Sequence, residues 1–150
     1  MSFKIYPPTP ERCREISGFT SACGILVGHE PHFYRIIIDY FGDTAFIAED
    51  TDGKIIGFTF GFASQTEPDL FFLWQIGVAD DMRRNGLASK LLAHLIEAAV
   101  KKGCKRVRAT VNHDNEPSRR LFEKAGFKNL GRFPNFYFEG EEMIIYEKDV

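Results

Sequence analysis

The chain has 150 residues, of which 44% are hydrophobic and 27% charged, with a formal net charge of −2. These values exclude a disordered or collagen-like chain, and the balance argues against a general nucleic-acid binder. The length fits one domain over residues 1–150 that buries roughly two-thirds of its unfolded surface.

No apolar run approaches the roughly 18 residues that span a bilayer, so no membrane partner is expected. Residues 1–6 lack the apolar core of a signal peptide, which makes a cytoplasmic protein the expectation. Cys13, Cys23 and Cys104 supply neither a disulfide framework nor a Cys-x-x-Cys pair.

The strand-forming segment at residues 3–6 is followed by the rigid loop Pro7-Pro8-Thr9-Pro10. Thr9 is placed to cap a helix starting at Pro10, with Ile16 and Phe19 among its buried positions. A second helix is expected over 31–41, with Phe33, Ile36, Ile37, Tyr40 and Phe41 at helical spacing and Gly42 ending it. Residues 45–49 read as a strand, Asp52-Gly53 as a turn, and residues 54–62 as the returning strand. Residues 70–78 are almost continuously apolar, as in a central strand covered on both faces.

After Arg83-Arg84-Asn85-Gly86 the period changes to that of a helix. Leu87, Leu91, Leu92, Leu95, Ile96 and Ala99 fall on one face, Lys90, His94, Glu97 and Lys101 on the other, and Gly103 closes the far end. Residues 106–111 read as a strand parallel to 70–78, because a helix joins the two. Asn115 is placed to cap a further helix that Gly126 ends. Final strands are expected at 135–138 and 143–146. The fold class is α/β (α+β): a mixed, mostly antiparallel sheet with one parallel pair, flanked by helices.

Charge is unevenly spread. Arg83 to Arg120 holds 10 of the 19 Lys/Arg and 3 of the 21 Asp/Glu. This pattern reads as a solvated helix face or as the seat of a polyanion. The turn Arg83-Arg84-Asn85-Gly86-Leu87-Ala88-Ser89 favours the second reading. A helix N-terminus offers unpaired N–H groups and a positive dipole end. Gly86 and Ala88 leave room for a phosphate near the backbone. Two arginines there oppose the dipole unless an anion is bound. Neither Gly-x-x-x-x-Gly-Lys-Ser/Thr nor Gly-x-Gly-x-x-Gly occurs, which sets aside nucleoside triphosphatases and dinucleotide folds.

Arg83, Gly86 and Ala88 fill the fixed positions of Gln/Arg-x-x-Gly-x-Gly/Ala between a central strand and a helix. A second segment, residues 111–127, pairs an Asn-capped helix with the ending Lys124-Ala125-Gly126-Phe127. On these two segments, in this order, the chain resembles the GNAT family of N-acetyltransferases over roughly Thr44 to Phe127. Phe41 to Thr44, the hairpin after it and Trp74 to Val78 are similar to the diaminobutyrate acetyltransferase branch. The segment Gly24 to Tyr34 departs from that branch. It should border the acceptor cleft, so the acceptor stays open.

The resemblance implies acetyl-coenzyme A as donor and a primary amine of a small molecule or amino acid as acceptor. Cofactor contacts are then expected from Ile76, Gly77 and Val78 on the strand edge, from Arg83, Arg84, Asn85, Gly86, Leu87, Ala88 and Ser89 at the turn, and from Asn115, Ser118 and Phe122 on the second segment. The N–H of Ile76 is placed to stabilise an oxyanion. A base must deprotonate the ammonium, and Glu67, Asp69, Glu30 and His113 are the candidates, each also readable as a surface residue. Glu30, Tyr34 and Trp74 are candidate acceptor contacts. The Phe58-Phe60-Phe62 and Phe71-Phe72 positions read as core or as an aromatic cleft wall. His29-Glu30-Pro31-His32 lacks metal-site spacing, and no metal is expected.

Phe122 stands where many family members carry a tyrosine that protonates the leaving thiolate. Three readings follow: the thiolate leaves unassisted, another tyrosine such as Tyr34 or Tyr137 substitutes, or the protein is a coenzyme A-binding module with little turnover. Protein or peptide acetylation is a further alternative. Exposed sheet edges or the C-terminal strand offer a route to a homodimer, which nothing in the sequence requires.

Overall fold

The computed structural model of the chain describes residues 2–23 and 26–150. Gly24 and Ile25, at the start of the segment that departs from the diaminobutyrate branch, lie outside the described residues. Strand β1 (Phe3–Tyr6) leads through a 3-10 turn into α1 (Cys13–Ala22), then α2 (Pro31–Phe41), β2 (Ala45–Asp50), β3 (Ile55–Ala63) and β4 (Leu70–Val78). Helix α3 (Leu87–Lys101), β5 (Arg106–Asn112), α4 (Glu116–Lys124), β6 (Lys128–Pro134) and β7 (Glu142–Asp149) complete the chain. The seven strands form one sheet in the order β1-β2-β3-β4-β5-β7-β6. Among the described strands only β4 and β5 run parallel, because α3 returns the chain to the same end of the sheet before β5 begins.

Two apolar layers cover the sheet. On one face Leu87, Leu91, Leu92 and Leu95 of α3 pack with Phe71, Leu73, Val107, Ala109 and Phe122. Each buried leucine, valine or phenylalanine among them is worth about 1.5–3 kcal/mol. On the other face Ile16, Tyr34, Ile37 and Ile38 meet Ile47, Phe58 and Phe60. No described helix is long and apolar enough to cross a membrane.

Three local expectations change. Thr9 makes no side-chain cap, and residues 10–12 form a 3-10 turn before α1. Helix α2 buries Tyr34, Ile37 and Ile38 rather than the face through Ile36 and Tyr40, which are exposed. Burial of the Tyr34 ring, with its hydroxyl bonded inside, rotates the helix to that face. Residues 135–138 are a turn, and the strand lies earlier, at β6. β6 is an exposed edge strand, so its sequence carries polar residues, a glycine and a terminal proline instead of a buried alternation.

Candidate active site

The parallel pair does not run the full length of its strands. Leu70, Phe71, Phe72 and Leu73 face Arg106, Val107, Arg108 and Ala109, and the pairing stops there. β4 stays paired to β3 as far as Val78, but with an irregularity: Phe60 faces Gln75 and Gly61 faces Leu73, so Trp74 is an extra, bulged residue. A bulge bends its strand and sharpens the twist. It also puts Trp74 and Gln75 on the same face. Beyond it, β4 and β5 diverge and leave the β4 edge open.

Main-chain direction alternates along a strand. The Ala79 N–H donates to the Ile56 carbonyl of β3 at 2.9 Å. Gly77 therefore also turns towards β3, and Ile76 and Val78 turn their polar groups to the open side. The Val78 carbonyl accepts from Cys23 Sγ at 3.6 Å. Gly77 allows this approach: a Cβ there would lie 2.6 Å from the Leu26 side chain.

The open edge leads into a cavity of about 420 Å³ between α3 and α4, whose lining includes Ile76, Gly77, Val78, Arg83, Arg84, Gly86, Leu87, Ala88, Ser89 and Ser118. Gly86 has φ +76° and Arg84 φ +69°. The left-handed turn into a right-handed helix gathers successive N–H groups into a concave anion seat. No side chain caps α3, and its first internal bond is Lys90 N–H to the Gly86 carbonyl. The N–H groups of Leu87, Ala88 and Ser89 thus have no partner within the helix. A Cβ on Gly86 would meet nothing within 4 Å, so the space before these groups is clear. Arg83 is steadied by Asp80 at 2.8 Å. This donor set, with basic side chains around it, fits a diphosphate.

The facing wall comes from α4. Pro117, Arg120, Leu121 and Lys124 line the cavity with Ser118. None of these four belongs to a motif that marks it for the site in the sequence. Their i, i+3, i+4, i+7 spacing was the available signal, since it puts them on one helical face.

A larger concavity of about 520 Å³ lies between α1, the start of β3 and the turn after β4. Its walls are mostly apolar and carry Glu15, Asp80 and Asp81 against the single Lys54. That charge repels a polyphosphate.

On the other face of the sheet, an aromatic group surrounds the bulge. The Trp74 ring lies 5.2 Å from Phe33 and 6.0 Å from His29, both edge-on, and 6.2 Å from Phe62. Trp74 is 44% exposed. Phe58, Phe60 and Phe71 are therefore core, Phe62 and Phe72 are half-buried and pack together, and Phe33, which the sequence marked only as a helix position, joins Trp74 on this face. Two hydrogen bonds hold the segment before α2 over this face: Ser17 Oγ to the His29 carbonyl at 2.6 Å, and Gln75 Nε2 to the Val27 carbonyl at 2.8 Å.

Several expected residues are not brought together. Tyr34 is 0% exposed, and its hydroxyl donates to Thr20 Oγ1 at 2.8 Å and approaches Gln75 Oε1 at 3.2 Å. It is an internal brace, not an acceptor contact. Phe122 is 1% exposed, stacked on Tyr146 and edge-on to Phe127, so its ring is core and not cavity wall. The Asn115 side chain accepts from the Ser118 N–H and caps α4, and neither it nor the exposed Asn85 lines the cavity.

Glu67 and Asp69 lie before β4, nine and seven residues from Ile76, more than about 20 Å along the strand. Both face Arg106, and its guanidinium holds the Asp69 carboxyl below the usual range. His113 turns its Nδ1 to the Glu142 carbonyl at 3.2 Å, on the β7 side of β5 and away from β4. Glu30 is exposed at the head of α2, directly after His29 in the chain.

The acetyltransferase (GNAT) family model matches residues 12–127. The L-2,4-diaminobutyric acid acetyltransferase of Chromohalobacter salexigens is 31% identical over 80% of this chain and 62% of its own length. That of Shouchella clausii is 40% identical over 61% of this chain and 51% of its own. The chain thus spans about half to three-fifths of these curated relatives. A solved diaminobutyrate acetyltransferase from Paenibacillus lautus, in complex with L-2,4-diaminobutyric acid and coenzyme A, matches with TM-score 0.80 and 28% identity, covering 97% of this chain and 94% of that one. Ard1 from Thermoplasma volcanium, 17% identical with TM-score 0.88 over 100% of this chain and 99% of that one, shares the fold.

Proposed function

Because the chain belongs to the acetyltransferase (GNAT) family, we propose that it is an N-acetyltransferase that moves an acetyl group from acetyl-coenzyme A to a primary amine of a small molecule. One observation carries this reading: the open β4 edge at Ile76 and Val78 runs directly into an uncapped helix N-terminus flanked by Arg83 and Arg84. An extended amide chain pairs with such an edge as an added strand does, and a diphosphate sits on such a helix end.

Bound acetyl-coenzyme A supplies the activated acyl thioester. The N–H groups of Leu87, Ala88 and Ser89 hold the diphosphate, with Arg84, Arg120 and Lys124 adding charge. The main chain of Val78 and Ile76 orients the amide arm, and the Ile76 N–H stabilises negative charge as it develops on the acyl oxygen. Trp74, Phe33 and His29 receive the amine on the opposite side of the sheet, where an aromatic face favours an ammonium head before deprotonation. Glu30, the carboxylate next in the chain to His29, takes up the ammonium proton, directly or through water. Much of the rate comes from holding the two reactants on either side of one gap.

The names of the relatives make 2,4-diaminobutyrate the first acceptor to assay. The test is a thiol-release screen of diamines, amino acids and polyamines, run beside thermal melting with coenzyme A. A raised midpoint and amine-dependent thiol release are expected. A midpoint that coenzyme A does not move overturns the reading. Binding without thiol release across the panel favours a cofactor-binding module instead, and acetylation of peptides but not of free amines favours a peptide acetyltransferase.

A further inference from the structure

With Phe122 buried and without a hydroxyl, the thiolate's proton must come from elsewhere. The chain has five tyrosines. Tyr6 donates to Glu49 at 2.6 Å on the β1–β2 side of the sheet. Tyr34 is committed to Thr20 and Gln75 in the interior. Tyr40 stands 78% exposed on α2. Tyr146 is fully buried and donates to Glu123 at 2.9 Å. Tyr137 differs from all four: its hydroxyl lies 3.1 Å from Thr110 Oγ1.

Thr110 marks a particular place. Val107, Ala109 and Val111 of β5 point into the layer under α3, so Thr110 points to the other face, the face of Trp74 and Gln75. Continuing the parallel register one step past Leu73 and Ala109 would set Trp74 against Thr110, and the bulge prevents that pairing. Thr110 is therefore the first β5 residue at the opening of the gap, with the Tyr137 hydroxyl beside it. The loop that carries Tyr137 is fixed. Asn135 Oδ1 accepts from the Gly140 N–H at 2.7 Å, and Phe136 packs edge-on to Tyr137 at 4.8 Å.

Resting on the acetyltransferase reading, we propose that Tyr137 is the proton donor to the departing thiolate, oriented by Thr110. As the amine nitrogen bonds to the acyl carbon, the carbon–sulfur bond breaks and its electron pair leaves on sulfur. Tyr137 gives its hydroxyl proton to that sulfur. The proton shed by nitrogen passes through Thr110 Oγ1 back to the phenolate oxygen. The products are the amide and the free thiol, and both side chains end as they began.

The test pairs Tyr137→Phe with Thr110→Val and uses Tyr40→Phe as control. In steady-state assays with the best amine of the screen, Tyr137→Phe lowers kcat by on the order of 100-fold with the KM of both substrates unchanged. Thr110→Val lowers kcat less, and the control matches wild type. A second readout needs no turnover. Calorimetric binding of coenzyme A against desulfo-coenzyme A measures the contact with sulfur. Wild type prefers the thiol several-fold, and Tyr137→Phe binds the two equally.

A Tyr137→Phe enzyme that keeps kcat, or that raises only the amine KM, overturns the assignment and leaves the acetyltransferase reading standing. A wild type that binds coenzyme A and releases no thiol overturns both. The Tyr137 side chain is half exposed, so its substitution leaves the core intact, and circular dichroism of the variant verifies this.

Discussion

Leu73 of β4 and Ala109 of β5 are the last facing residues of the parallel pair, and the cleft begins where they end. One bulged residue, Trp74, produces this opening. The same bulge turns Trp74 to the aromatic face and leaves the Ile76 N–H facing the gap. The open β4 edge and the aromatic face thus meet at this one irregularity, while the sheet's other register shifts lie away from the gap, between β2 and β3 and between β6 and β7.

Gly86 is the position where the backbone of the anion seat depends on residue type. Its φ of +76° strains any side chain by on the order of 1 kcal/mol, although the space for a Cβ is open. Gly86→Ala should fold with a slightly lower midpoint. Gly86→Glu should fold as well but show no thermal stabilisation by coenzyme A, because bulk and negative charge then occupy the seat. An undiminished shift in Gly86→Glu would place the diphosphate elsewhere.

Gln75 joins the acceptor side to β4. Its amide donates to the Val27 carbonyl and its oxygen lies 3.2 Å from the Tyr34 hydroxyl, with the residue 5% exposed. Gln75→Leu leaves these groups without that partner, at a cost of about 1–3 kcal/mol. The segment that carries His29 is loosened with it. Urea unfolding should report the loss, and kinetics should show a higher KM for the amine with the KM for acetyl-coenzyme A unchanged. Equal effects on both KM values would contradict this division of the site.

Phe122 is a core residue, packed between Phe127 and Tyr146. Phe122→Ala should cost about 3–5 kcal/mol through lost burial and the cavity left behind. Chemical denaturation measures it. A cost below 1 kcal/mol would mean that the ring faces the cleft after all.

Glu49 accepts from the Tyr6 hydroxyl and from Arg12, and these bonds hold its carboxyl below the usual glutamate range. A carboxyl with a lowered folded-state value contributes stability that is complete above its unfolded value. That contribution is lost as pH falls through the folded value. Wild type should therefore melt above Glu49→Gln at neutral pH, and the two curves should converge in acid, below about pH 4. A gap that persists unchanged into acid would assign the effect to packing.

Most of the framework is legible in short stretches of the chain. The continuous apolar run at 70–78, the Asp52-Gly53 turn and the leucine face of α3 are local signals, and each fixes one element with little help from distant residues. The turn from Arg83 to Ser89 was legible for the same reason, since helix ends and glycine conformations are properties of short segments.

Which side chains share a space follows from the folded arrangement alone. Glu67, His113 and Tyr34 carry suitable chemistry, yet the sheet sends the first to the wrong end of β4, turns the second towards β7 and buries the third. The exposed edge β6, rich in polar residues, gave no periodic signal, while the aromatic run beside it folded as the turn that sets Tyr137 against Thr110. Hydrophobic periodicity records burial along one element. Where two strands part, and which hydroxyl stands at the parting, depends on register between segments far apart in the chain, and no single segment encodes it.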